Sequence, residues 1–166
     1  MIIGGIFGVV ICATVLIYTS YLDIKNREIT RQAQITAIVV IVLGIIGQIV
    51  YEFQTEDPAA PLLLYTGIAV LISTCIYSIN IILIKQGKPR LYGGADTLMY
   101  LCVCSMCPVA FVVPTALWLL PVSYGLAAAV GLIPRIREAH KRGIPFIVYI
   151  TAAWVLLLFV PWLIGM

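Results

Sequence analysis

Charged residues punctuate this chain at long intervals, and the stretches between them are almost wholly apolar. Residues 1–22, 32–51, 58–84, 97–134 and 143–166 carry no Asp, Glu, Lys or Arg, which leaves uncharged stretches of 22, 20, 27, 38 and 24 residues. A helix needs about 20 apolar residues to cross a bilayer. Four of the stretches therefore predict one spanning helix each, and the stretch of 38 has room for two. Pro108, Pro114 and Pro121 interrupt that longest stretch, and Val113-Pro114 reads as a tight turn inside it. The pattern predicts six helices, over roughly 2–22, 33–51, 62–84, 97–112, 115–133 and 144–164. The apolar positions run on without alternating, so barrel strands are not expected. The expectation is an all-α membrane protein, one domain over 1–166 built as a bundle of about six transmembrane helices.

Composition narrows the class further. Hydrophobic residues make up 63% of the 166 positions and charged residues 10%, against about 45–50% and about 25% in soluble domains. So few charges could not cover so large an apolar core in water, and so apolar a chain does not stay disordered. The first segment lacks a basic start and a small-x-small site after a short apolar core, so it is expected to remain as a helix and not to act as a cleavable signal peptide.

Charge placement orients the helices. Lys25, Arg27 and Arg31 follow the first predicted helix, Lys85, Lys88 and Arg90 the third, and Arg135, Arg137, Lys141 and Arg142 the fifth. These are all ten basic residues of the chain, whereas the second loop holds only Glu52, Glu56 and Asp57. With six helices the three basic loops share one side. The positive-inside rule makes that side cytoplasmic and puts both termini outside. A single helix over 97–134 would send the basic residues of the last loop to the opposite side.

Five cysteines fall in the predicted helices. Cys102, Cys104 and Cys107 resemble a ligand cluster on paper, but Cys102 and Cys104 point about 200° apart on a helix. Structural zinc needs four converging ligands, and no loop Cys or His completes a set. The cysteines, Cys12 and Cys75 included, read as small buried hydrophobes. No metal, cofactor or nucleic-acid partner is expected. The lone His140 lies in a basic loop.

Two acidic residues stand out. Asp23 ends the first predicted helix, Asp96 opens the fourth, and the topology puts both at the cytoplasmic boundary. Ionisable groups at membrane depth are costly and usually functional, and two carboxylates at one depth can meet across a bundle. Each also has an architectural explanation. Asp23 could pair with Arg27 one turn on, and Asp96 could be a helix N-cap after Gly93-Gly94. Neither explanation accounts for their matching depth. The glycine pair also lets backbone, or an extended peptide, approach Asp96 closely.

Leu22-Asp23-Ile24-Lys25-Asn26-Arg27-Glu28-Ile29 resembles the first aspartate motif of the type IV prepilin peptidases and archaeal preflagellin peptidases. Gly93-Gly94-Ala95-Asp96 resembles their second motif, which marks GxGD-type membrane aspartyl proteases, and Gly143-Ile144-Pro145-Phe146 resembles the segment that opens their last helix. Motif order and topology extend the resemblance along the chain. It implies Asp23 and Asp96 as catalytic residues, with Gly93, Gly94, Ala95, Glu28, Pro145 and Phe146 as substrate-binding or motif support. It implies a substrate too: a pilin-like or archaellin precursor with a short basic leader, usually glycine at the cut, then a hydrophobic helix. The first loop is short and lacks cysteine, so the zinc-binding, methyltransferase part of larger bacterial members is not implied. The alanine at position 95 leans archaeal. A basic leader would meet ten basic residues against Asp23, Glu28, Asp96 and Glu138. Either anionic lipid headgroups screen that repulsion or Glu28 and Glu138 contact the leader. Two other readings stand beside the peptidase: a small proton- or cation-coupled transporter using the same aspartates, and a non-catalytic scaffold.

Overall fold

A computed structural model of the chain describes residues 2–26, 29–54, 62–87, 93–107, 109–110, 113–132 and 145–163. Six α-helices lie among them: α1 (Ile2–Asn26), α2 (Arg31–Gln54), α3 (Leu62–Lys85), α4 (Gly94–Met106), α5 (Thr115–Gly131) and α6 (Phe146–Leu163). Between α4 and α5, β1 (Val109–Ala110) pairs antiparallel with β2 (Val113–Pro114). Three helices, α1 over Gly8–Lys25, α2 and α3, are long and apolar enough to cross a membrane, while α4, α5 and the Gly-free α6 segment Phe146–Phe159 are shorter apolar helices.

The helix starts and stops follow local chemistry. Thr30 caps α2, its hydroxyl accepting from the Ala33 N–H at 3.3 Å. The sequence before α3, Ala59-Ala60-Pro61, offers no capping side chain. Glu52, near the end of α2, serves instead, and its Oε1 accepts from the Leu63 N–H at 2.8 Å. Gly87, at φ +70°, ends α3 with its N–H donated to the Ile84 carbonyl. α5 carries Pro121 inside it without ending there.

The fourth element differs from expectation. The sequence predicts a helix over 97–112 and a tight turn at Val113-Pro114; the helix instead runs Gly94–Met106, and Val113–Pro114 is the second strand of the pairing. The cause is Pro108. A residue before proline is pushed out of the helical region, and Cys107 sits at φ −132°, ψ 66°. Cys107 thus follows α4 and is not part of a helix.

α4 is the axis of the bundle. α1 packs on α2, α2 on α3, α3 on α5, α5 on α6, and α6 closes on α1, while α4 touches all five. Met99, Tyr100, Cys102 and Val103 are fully buried. The surrounding helices turn small or polar residues toward this axis: Ala33, Ala37, Gly44 and Gln48 on α2, and Thr66, Ala69 and Ser73 on α3. Their large residues, such as Ile38, Leu43, Leu71 and Ile82, face outward. Such a distribution suits lipid, where close packing of small residues and not water exclusion holds helices together.

The end of α4 is held by its neighbours. Gln48 Nε2 donates to the Ser105 carbonyl, and Thr66 Oγ1 donates to Gln48 Oε1 at 2.8 Å and reaches the Cys104 carbonyl at 3.5 Å. The Cys107 carbonyl accepts from Thr115 Oγ1 at 2.6 Å. Gly44 lets α2 come this near, since a Cβ there would lie 2.7 Å from the Ser105 oxygen. That neighbour is backbone and cannot move aside cheaply. Gly44→Ala should therefore lower stability by roughly 1–3 kcal/mol. Gly47, one turn away, has nothing within 4 Å of the same added carbon. Gly47→Ala should stay within about 0.5 kcal/mol of wild type. Unfolding of both variants in one detergent checks the pair.

Candidate functional site

The inner face of α1 carries Cys12, Val15, Leu16, Thr19, Leu22 and Asp23, all buried and spaced by three or four residues. Asp23 thus ends a stripe aimed at the axis and keeps only 9% exposure. Its Oδ2 accepts from the Ile147 N–H at 3.3 Å, in the first turn of α6. That turn begins after Pro145, whose carbonyl accepts from the Val148 N–H but whose side chain offers no acceptor. Asp23 supplies the missing cap from across the bundle, and the dipole of α6 favours its charge. One turn up, Ser20 Oγ and Thr151 Oγ1 lie 2.9 Å apart and hold α1 to α6. The alternative partner considered for Asp23, Arg27, lies outside the described residues.

Asp96 is not the N-cap. The cap is Gly93, and Asp96 is the third residue of α4. Its Oδ2 accepts from the Gly93 N–H at 3.0 Å, the reach-back half of a capping box. Thr97 completes the turn, its N–H and Oγ1 both donating to the Gly93 carbonyl at 3.1 Å. Gly93 adopts φ −72°, ψ 152°, which any residue can adopt. Its lack of a side chain matters for space: a Cβ there would lie 2.6 Å from Asp96 Oδ2. At Gly94, which points to the other side of the helix, the same carbon would meet nothing within 4 Å among the described residues. Ala95 sits half-buried in the same turn.

The two carboxylates come together because α1 and α4 run antiparallel in one register. Eleven positions before Asp23, Cys12 lies close to Cys107, which lies eleven positions after Asp96, and also to Cys102. Farther along, Gly8 packs on the Met106 carbonyl. At the other end the aspartates act on each other. Asp96 precedes the uncharged stretch of α4, and its carboxyl is pushed up to about 6, chiefly by burial and further by the Asp23 charge, while the Gly93 N–H pulls the other way.

Aromatic rings flank the pair. Phe146 is buried beside the residue that donates to Asp23, and its ring centroid lies 4.7 Å from that of Tyr124 on α5 and 6.3 Å from that of Tyr149. Tyr124 is within electrostatic reach of Asp96. Sequence patterning did not single out Tyr124. Its signal was weak, one ring in an apolar helix, and only the antiparallel return of α5 beside α4 gives it a place here. Of the expected site residues, Asp23, Asp96, Gly93, Gly94, Ala95, Pro145 and Phe146 gather around this end of α4, and Glu28 lies outside the described residues.

The cysteines near α4 fall into two groups. Cys102 and Cys107 face Cys12, whereas Cys104 turns toward Tyr100. All four are buried, and Cys75 is exposed on α3. Among the described residues no group of three His, Cys, Asp or Glu side chains is arranged to hold a metal ion.

Two outcomes follow from this geometry. Gly93→Ala should move the Asp96 carboxylate, the flexible end that can yield, with little loss of stability, whereas Gly94→Ala should leave both unchanged. A structure of each variant, or the titration of Asp96 followed by carboxyl spectroscopy, distinguishes them. The second outcome is a pH dependence. Asp96 ionises near 3.8 unfolded and about 6 folded. Between these values the folded state binds more protons, so stability falls as pH rises through this window. Asp96→Asn should be more stable than wild type at pH 7, and the difference should vanish near pH 4, as read by unfolding in detergent at both values. Comparison with family models, with curated proteins and with solved structures finds no match for this chain, so the reading of the site rests on its own residues.

Proposed function

We propose that this protein is a membrane aspartyl endopeptidase that removes the short basic leader of pilin-like or archaellin precursors. The observation that supports the reading is that Asp23 and Asp96, from two different helices, lie within electrostatic reach of each other at one end of α4. In this reading the chain is a multi-pass protein of the cell membrane with six crossings and both termini outside. The α4–β1–β2–α5 segment makes two of the crossings, and the site faces the cytoplasm, where the ten basic residues lie.

Peptide hydrolysis by such a pair needs one proton shared between two carboxyls. Like charges this close do not both ionise cheaply, and the rise at Asp96 is in the direction that keeps the pair singly protonated near neutral pH. The ionised carboxylate takes a proton from water as its oxygen bonds to the scissile carbonyl carbon. The protonated partner donates to the carbonyl oxygen. Collapse of the tetrahedral adduct breaks the C–N bond as one hydroxyl proton of the adduct returns to the partner carboxylate, and the leaving nitrogen takes up the proton first drawn from water. The two pKa values belong to the pair, so neither residue is assigned acid or base. The hydrophobic helix of the precursor would lie in the bilayer against the bundle, with its cytoplasmic end at the aspartates.

An architectural pair is the second reading, favoured by one observation. Each carboxylate accepts an N–H at the start of a helix, Asp23 from Ile147 and Asp96 from Gly93. The readings part on substitution. In cells producing a candidate precursor, wild type should convert it to a faster-migrating form on a gel. Asp23→Asn and Asp96→Asn, which keep size and a hydrogen-bonding oxygen, should each lower cleavage by at least about a hundredfold while still inserting and folding. Wild-type cleavage rates in either variant would sink the peptidase assignment, and intact folding alone would leave the architectural pair standing.

A further inference from the structure

Serine and threonine hydroxyls inside a helix commonly return to a carbonyl one turn back in the same helix. Thr14, Thr19, Thr36, Thr74 and Ser78 do so here, each to the carbonyl four residues before it. Ser20 instead reaches out of α1 to Thr151 on α6, 2.9 Å away. The direction of this bond follows from its neighbour. Thr151 Oγ1 gives its hydrogen to the Ile147 carbonyl at 2.9 Å, so Ser20 Oγ donates and Thr151 Oγ1 accepts. Ile147 is thereby held on both sides. Its carbonyl accepts from Thr151, and its N–H donates to Asp23 at 3.3 Å. Ser20 and Asp23 lie one turn apart on α1, and Thr151 and Ile147 one turn apart on α6. The helices therefore run antiparallel, with two ties one turn apart.

We propose that Ser20 and Thr151 are positioning residues for Asp23: their hydroxyl pair fixes how α1 turns and slides against α6, and so where the Asp23 carboxylate stands relative to Asp96. The part this plays in cleavage rests on the peptidase reading. One contact leaves a helix free to pivot about it, and a second contact one turn away removes that freedom. Asp23 needs the second contact, because its own tie is long and ends on a backbone N–H that moves with α6. Hydroxyls suit the task in a bilayer, where hydrogen bonds between side chains hold neighbouring helices together. Both residues act through Asp23. Neither serves as acid or base, since an alkyl hydroxyl does not ionise at neutral pH.

The test uses the full-length protein in detergent. Thr151→Val keeps the branched shape without the hydroxyl, and Ser20→Ala removes its partner. Each should lower kcat on a precursor about tenfold, with KM within about twofold of wild type. The double variant should lose no more than either single one, because the two changes break one bond. Thr151→Ser, which can still donate and accept, should restore the wild-type rate. Asp96, followed by carboxyl infrared spectroscopy without substrate, should titrate about half a pH unit lower in both single variants, because a freed Asp23 acts less on it. If Thr151→Val does not fold, Ser20→Ala carries the comparison. Unchanged kcat, or a loss that follows thermal stability while Asp96 titrates as in wild type, would overturn the inference and leave the peptidase standing. Wild-type protein that cleaves no precursor would overturn the peptidase reading. The titration, which needs no substrate, then decides: a shift upholds the positioning of Asp23, and an unmoved titration overturns it.

Discussion

A helix that stops inside an apolar bundle must have its last carbonyls satisfied by something other than water, and this requirement organises the protein. α4 ends at Met106, level with Gly44 and Gln48 and short of the end of α2. The carbonyls of Cys104 and Ser105 in its last turn, and that of Cys107 just beyond it, are met by side chains from three other helices: Thr66 from α3, Gln48 from α2 and Thr115 from α5. An unmet carbonyl in hydrocarbon costs several kcal/mol, roughly the whole stability of a small domain. Gln48 alone touches both Ser105 and Thr66. α2 and α3 can therefore dock on α4 in only one register, and the small residues Ala37, Gly44 and Ala69 line that approach.

The opposite end of α4 obeys the same rule with the sign reversed. Helix starts expose N–H groups, and here carboxylates meet them. Glu52 serves α3, Asp96 serves its own helix, and Asp23 serves α6. Only the last two share a location. Because α1 and α4 are antiparallel and in register, the arrangement that puts Cys12 on Cys107 also puts Asp23 beside Asp96. Architecture and candidate chemistry are thus not competing explanations of these residues. The caps hold the carboxylates in place, and burial, with a further contribution from the Asp23 charge, makes Asp96 reluctant to ionise.

Most of the helices were legible because a spanning helix is defined by what it lacks. The ends of the uncharged stretches fall within a few residues of both ends of α1, α2, α3 and α6 and of the C-terminal end of α5. α4 was misjudged at both ends. Counting charges could not show that the helix begins at Gly94, because Asp96 interrupts the count, nor that Pro108 would divert the chain into a strand pairing and not a turn at Val113-Pro114. The two aspartates were singled out by their places at the ends of uncharged stretches and by the motifs around them, and the structure puts them within electrostatic reach of each other. Gln48 and Tyr124 were not singled out, since a single amide or phenol within an apolar run acquires meaning only from what lies opposite. Glu52 was read as an ordinary loop acid, although Ala59-Ala60-Pro61 before α3 already signalled a helix start without a cap of its own.

The borrowed cap on α6 ties that helix to α1. Ribosomes release α1 long before Phe146 and Ile147 exist, so Asp23 enters the membrane ahead of the turn that will fix it. A nascent chain that holds both aspartates has yet to gain the contact that orients one of them. The carboxylate pair therefore reaches its final geometry only after α6 has been made, and a chain that stops short of α6 carries its two acids without the contact that orients Asp23.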